Sequence, residues 1–171
     1  MTSRTASLTD AIRLLDERVD GKHGGLPEAL FLFVSRVTPL VNVDLLIRDE
    51  LLGTLLTWRH DEFYGPGWHV PGGIIRFGEY AADRVRIAAE TELGARVESE
   101  SIPAHVHESI SPERRDRGHF ISLLYRCRLA TGLDQTRRCA GTHPLPGQWQ
   151  WHRNCPASLI PQQSMYSQFI G

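Results

Sequence analysis

Apolar positions change period several times along the chain, and each change marks an element. Leu8, Ile12, Leu15 and Val19 fall near one helical stripe behind the polar start Ser7-Leu8-Thr9-Asp10, which predicts a helix over about 8–20. Gly21 to Gly25 breaks it, and Leu26-Pro27-Glu28 opens a short apolar helix to about Val37. This arm, residues 1–37, carries two apolar faces that need cover, from the rest of the chain or from a second copy. The main domain is expected over 38–171. It begins with a strand from Leu40 to Arg48, where Asp44 interrupts a buried pattern, then a turn at Asp49-Glu50 and a returning strand from Leu51 to Arg59. Trp68-His69-Val70 reads as a short strand and Gly73 to Phe77 as another, followed by a helix from Tyr80 to Leu93 that stops at Gly94. Two weak strands, Val97 to Ile102 and Ala104 to Ser109, precede a charged loop, Ser111 to Gly118, and a long strand, His119 to Leu129. A loop from Thr131 to Gly147, a last strand from Gln148 to His152 and a terminal helix from Pro156 to Ile170 complete the chain. Strands with one central and one terminal helix predict an α/β fold with a mixed sheet between helical layers.

Composition narrows the setting. With 171 residues, 41% hydrophobic and 23% charged, the chain suits a single globular domain that buries roughly two-thirds of its unfolded surface. A net charge of -1 gives no reason to expect nucleic acid or a membrane as partner, so an anionic substrate would need local arginines. Cys127, Cys139 and Cys155 are odd in number and widely spaced, which argues against a disulfide framework and for a reduced, cytoplasmic setting. The longest apolar run, Ala29 to Val34, is far below membrane-spanning length, and Met1-Thr2-Ser3-Arg4 does not open like a targeting segment.

The stretch with chemistry in it is Gly65 to Glu79 and the helix behind it. Paired glycines, Gly72 and Gly73, let backbone approach an anion or a metal, and a following helix holds acidic groups at fixed height. Gly73, Glu79, Glu92 and Gly94 fall on the skeleton of the Nudix box, G-x5-E-x7-R-E-U-x-E-E-x-G-U with U apolar. In place of its central Arg, Glu, apolar, any residue, Glu, Glu, the chain has Ile87, Ala88, Ala89, Glu90, Thr91 and Glu92. Ala88, Thr91 and Glu92 share a helical face, so the face that usually carries several metal ligands carries one.

Together with Thr38 to Asp44, Leu55 to Arg59 and Gly67 to Gly73, this box resembles that of the GDP-mannose mannosyl hydrolases, a Nudix branch that also keeps only the final glutamate. The resemblance implies an α/β/α sandwich, a homodimer built with N-terminal segments, and Mg²⁺ held by the Gly72 carbonyl and Glu92. It further implies Asp44 on sugar hydroxyls and Arg59 on the diphosphate, where charge grows as the sugar leaves. The family arginine after the glycine pair is Ile74 here, so Arg76, on the same side of an extended strand, is the expected stand-in. Phe120 matches a family tyrosine, and His107 is a candidate substrate contact. His143 lies in the loop where the family keeps its general base, and Gln148 is a candidate relocated metal ligand. Glu79 normally pairs with the box arginine; with Ile87 there, Arg84 or Arg86 would have to take over.

The activity implied is Mg²⁺-dependent hydrolysis of a nucleoside diphosphate sugar by water attack at the anomeric carbon. Two alternatives stand beside it: a conventional pyrophosphohydrolase, and a binding module for nucleotide sugars without turnover.

Overall fold

A computed structural model describes residues 7–19 and 25–171. The break expected at Gly21 to Gly25 therefore lies, apart from Gly25, outside the described residues. Among the described residues, three α-helices, α1 (Leu8–Arg18), α2 (Glu28–Val34) and α3 (Ala81–Leu93), accompany eight strands. The strands are β1 (Leu40–Asp49), β2 (Gly53–Asp61), β3 (Gly65–His69), β4 (Gly72–Ile74), β5 (Val97–Ser99), β6 (His105–Ile110), β7 (His119–Leu129) and β8 (Trp149–His152).

The sheet is mixed, as the pattern of strands and helices predicts. Its central path runs β3-β2-β1-β7-β5, with β4 on β1, β6 on β7 and β8 on β2. β1 and β7 are parallel from Leu40 opposite Phe120 to Ile47 opposite Cys127. β1 and β2 pair only beside their turn, at Arg48 with Thr54 and Asp49 with Gly53. Beyond that point they splay: β2 turns to β3 and β8, and β4 takes the vacated edge of β1 at Asn42 to Asp44. The glycine pair thus sits in the fork where the sheet divides.

Strand alternation fills two cores. Val43, Leu45 and Ile47 of β1 face Val85, Ala88, Ala89 and Leu93 of α3, and the small alanines let the helix lie close. Leu46, Leu56 and Leu124 face the other way, against Trp68, Val70, Tyr166 and Ile170. Each of these fully buried aliphatic side chains contributes about 1.5–3 kcal/mol, so both faces of the sheet are anchored. α3 ends at Gly94 with φ +61°, and a Cβ there would also come 2.6 Å from Asp134 Cβ, so glycine is required twice over.

Two elements differ from expectation. The terminal segment is a 3₁₀ run, Pro161–Phe169, with non-helical backbone at Gln163 rather than an α-helix from Pro156. Residues before it lie extended along β3, where Trp68 N–H donates to Ser158 O and Ile160 N–H to Trp68 O, and Pro161 then lacks the N–H a continuing helix needs. The strand expected over Gly73 to Phe77 stops at Ile74: after Ile75 N–H bonds Val41 O, the Arg76 N–H is drawn to Glu79 Oε2 and the chain turns.

The N-terminal segment splits in character. α1 is closed by a capping box between Ser7 and Asp10, and none of its residues is buried. α2 ends on Ser35, which is buried and touches the loop before β7.

Candidate active site

α3 carries Glu92 into the fork. Its Oε2 accepts from Thr57 Oγ1 at 2.8 Å and its Oε1 from the Gly72 N–H at 3.3 Å, while His69 Nε2 stands 3.8 Å away. A Cβ at Gly72 would fall 2.4 Å from Val43 O and 2.6 Å from Asp44 Oδ1, so only glycine lets β4 lie this close to β1 beside the carboxylate. His69 is buried, and its Nδ1 lies 2.9 Å from Val70 O, which only accepts; that nitrogen therefore carries the proton. Burial holds the His69 pKa below its ordinary value despite the opposing charge of Glu92, so the ring is neutral at pH 7. Thr57 has one hydroxyl proton and two acceptors in reach, Glu92 Oε2 and His69 Nε2 at 3.0 Å.

The box helix keeps its organising ion pair by moving it. Arg84 donates from Nε to Glu79 Oε2 at 2.8 Å and from a terminal nitrogen to Oε1 at 2.7 Å, a forked pair, while Arg86 pairs instead with Asp83 and Glu90. The Arg84 stem crosses Gly73, where a Cβ would come 3.1 Å from its Cδ.

Next to this corner runs a cleft with one polar and one cationic wall. Asp44 is 3% exposed and accepts from Tyr166 Oη at 2.7 Å, Asn42 Nδ2 at 2.7 Å and Gln163 Nε2 at 3.3 Å. Burial outweighs those donors and pushes its pKa up to about 7, and the nearby Glu92 charge adds to the rise. Ser122 and Gln162 continue this wall, with Phe120 and Ile74 as apolar neighbours. On the other wall, Arg59 pairs with Asp61 at 2.9 Å and lies over the Tyr64 ring, 5.0 Å from its centroid. Arg59 and His69 line both this cleft and the neighbouring recess that holds Glu92.

Arg114 and Arg117, which the sequence offers only as parts of a charged loop, also lie over Tyr64, at 4.7 and 5.2 Å. The signal for them was the aromatic pair Phe63-Tyr64 between β2 and β3, which arginines could stack on. Tyr166 and Gln163 come from the terminal segment, and no spacing links them to Asp44.

Four candidates are not brought to the cleft. Arg76 lies past the end of β4, where strand alternation with Ile74 no longer applies, and its guanidinium lies beside Gly25. His107 stacks on His105, with centroids 6.2 Å apart, and lies two residues before the cleft-lining Ser109 on β6. His143 is exposed and engages its neighbour Thr142. Gln148 spends its side-chain oxygen on the Leu145 N–H, closing the turn before β8. Among the described residues no three His, Cys, Asp or Glu side chains gather as a metal cluster. The oxygens that remain for a hard cation are Glu92 and the Gly72 carbonyl, a sparse set of the kind magnesium completes with water and phosphate.

In overall form the chain is similar to a possible asymmetric diadenosine tetraphosphate hydrolase from Jonesia denitrificans, at TM-score 0.61 and 20% identity over 78% of this chain and 92% of that one. It is also similar to a MutT Nudix hydrolase from Burkholderia pseudomallei, at TM-score 0.58 and 18% identity over 78% and 99%. The chain has the Nudix fold. A UDP-X diphosphatase with TM-score 0.56 and 15% identity matches over 96% of this chain and 80% of its own. By sequence, a low-salt glycan biosynthesis protein of Haloferax volcanii, Agl8, is 35% identical over 94 residues, 53% of this chain; the match spans 60% of that relative's length. No family model matches the chain.

Proposed function

We propose that the protein hydrolyses a nucleoside diphosphate sugar of the GDP-mannose type with Mg²⁺, by attack of water at the anomeric carbon. The water oxygen bonds to that carbon, the bond from carbon to phosphate oxygen breaks, its electron pair stays on the nucleoside diphosphate, and the water proton passes to a base. The observation that carries this reading is the lone carboxylate Glu92, tied to Thr57 and Gly72, in a recess that shares Arg59 and His69 with a cleft whose other wall holds buried hydrogen-bonding groups. Glu92 and the Gly72 carbonyl are the residues that would hold Mg²⁺, which when bound supplies charge neutralisation at the leaving diphosphate. His69, neutral and with Nε2 turned toward Thr57 and Glu92, is the base in this reading in place of His143, which lines neither the cleft nor the recess. Asp44 and Asn42 would meet the sugar and Phe120 would stack beside it. The names of two similar proteins, glycan biosynthesis for Agl8 and UDP-X diphosphatase, agree with a nucleoside diphosphate derivative as substrate, the second of them with cleavage at phosphorus.

A second reading, a nucleotide-sugar binding module without turnover, is favoured by the single carboxylate on the metal face. Turnover of GDP-mannose and related nucleotide sugars in heavy-oxygen water, with Mg²⁺ and with EDTA, separates the readings. Label in the free sugar supports attack at carbon; label in phosphate means a conventional pyrophosphohydrolase; binding with no turnover leaves the module. Glu92→Gln should abolish the Mg²⁺-dependent turnover with little change in melting temperature, and near-normal turnover would put the metal elsewhere.

A further inference from the structure

We propose that Arg114 and Arg117, from the loop between β6 and β7, form with Arg59 a clamp for the diphosphate of the substrate, assembled on the ring of Tyr64. Three guanidinium carbons lie 5.0, 4.7 and 5.2 Å from one ring centroid, from segments that converge only in the fold. Like charges gathered this closely repel one another until an anion enters.

The local charge balance fits an anion. Asp61 pairs with Arg59, and Asp116, which precedes Arg117, is paired with Arg36 at 3.3 Å. Among the described residues neither Arg114 nor Arg117 has an ion pair or a side-chain hydrogen bond. Three arginines against the one aspartate paired to them leave this cluster net positive, as recognition of a phosphate group requires. Forked, planar donors suit phosphate oxygens better than single ammonium charges do.

An unpaired donor points the same way. Arg117 Nε is buried with no hydrogen bond. A buried donor left unpaired is costly and calls for a ligand. Arg117 also sits at φ +54°, in the left-handed region that a residue with a long side chain seldom adopts. It is held there by Ser35 Oγ, which accepts its N–H at 3.1 Å, and by Phe31 and Phe63, whose centroids lie 5.7 and 4.6 Å from the guanidinium. Backbone strain kept in place by two other segments marks a position selected for its geometry.

The proposal rests on the nucleotide-sugar reading for its ligand, but not on the chemistry at carbon. It is tested by calorimetric titration of the full chain with GDP, GMP and inorganic pyrophosphate in EDTA, for wild type, Arg114→Gln, Arg117→Gln and the double variant. GDP should bind about 10- to 100-fold more weakly to each single variant, the size of losing charge-assisted hydrogen bonds to an anion, and Arg117→Lys should recover only part of the loss. GMP, one phosphate short, should be weaker to begin with and less affected. Melting temperatures report whether a variant has folded, and if Arg117→Gln has not, Arg114→Gln carries the test. A double variant that binds GDP within twofold of wild type overturns the clamp, as does a wild type that binds neither GDP nor pyrophosphate. Intact turnover with unchanged binding in the variants strikes the clamp alone. Arginine-dependent GDP binding without hydrolysis of any nucleotide sugar strikes the proposed activity and leaves the clamp standing.

Discussion

Replacing Arg84 by Met keeps the stem that crosses Gly73 and removes the guanidinium that grips Glu79 at 2.8 and 2.7 Å. The arginine side chain is 9% exposed and the glutamate 13%, so the carboxylate would be left with the Arg76 N–H and little water. Breaking a buried pair by removing one partner costs about 3–5 kcal/mol, and the surviving backbone bond argues for the lower end, about 3 kcal/mol. At this chain length each kcal/mol moves the melting point by roughly 2–4 °C, so a fall of roughly 6–12 °C is expected by calorimetry. Glu79→Gln and the double variant complete a cycle, in which a coupling of about 1.5–3 kcal/mol is expected. The pH dependence gives an independent check. Burial alone would raise the Glu79 pKa, but the Arg76 N–H and the Arg84 guanidinium outweigh it and hold the group below 4.5. A carboxylate depressed in the folded state stabilises above its unfolded pKa and loses that contribution as pH falls through the folded one. The gap between wild type and Arg84→Met should therefore be full above about pH 5 and close below the ordinary glutamate range. A coupling under about 0.5 kcal/mol, or a gap that persists undiminished in acid, would refute the pair as the organiser of the box helix.

Arg59→Gln should lower kcat more than it raises KM, because the charge it meets peaks as the diphosphate leaves; an effect on KM alone would make it an ordinary binding residue. Asp44, raised to about 7, should make the protein less stable as pH climbs from about 4 to 7, by at most about 1.4 kcal/mol per unit, and Asp44→Asn should flatten that slope in urea melts; equal slopes would mean the carboxylate is not held neutral. The full chain should sediment as a dimer and a chain starting at Gly25 as a monomer, since Leu8, Ile12 and Leu15 of α1 are 78, 50 and 41% exposed and need cover; if the full chain is a monomer at micromolar concentration, α1 has another role. Starting at Val37 instead would remove Phe31 and Ser35, which hold the Arg117 loop, and confuse assembly with loss of the site.

What could be read from the sequence was whatever a fixed period carries. The two long core strands, the box helix, its stop at Gly94 and the height of Glu92 follow from alternation and helical repeat, whereas the parallel pairing of β1 with β7 does not. The move of the ion pair from position 87 to Arg84 was open to the same logic, because i and i+3 share a helical face and the guanidinium reaches Glu79 from either turn. Arg76 failed by the opposite route: the alternation that would aim it beside Ile74 ends when the Glu79 carboxylate captures its N–H, a side-chain event that no strand pattern encodes.

The parts that were not legible depend on contacts between distant segments. Tyr166 meets Asp44 across 122 positions, and the proline-rich stretch before it runs along β3 because Trp68 offers it backbone partners, which a helical pattern cannot anticipate. His69 stands two residues before Pro71 and looks like any strand histidine until burial removes its charge and Thr57 links it to Glu92. Arg117 is the extreme case. A glycine at a left-handed position announces itself in a sequence, whereas an arginine there does not, and its conformation depends on a serine 82 positions away accepting its N–H. A loop whose strain is sustained from so far off is costly to keep unless its side chain has work at that spot. Through Ser35 and Phe31, α2 and its C-cap pack on the Arg117 loop, whereas no residue of α1 is buried.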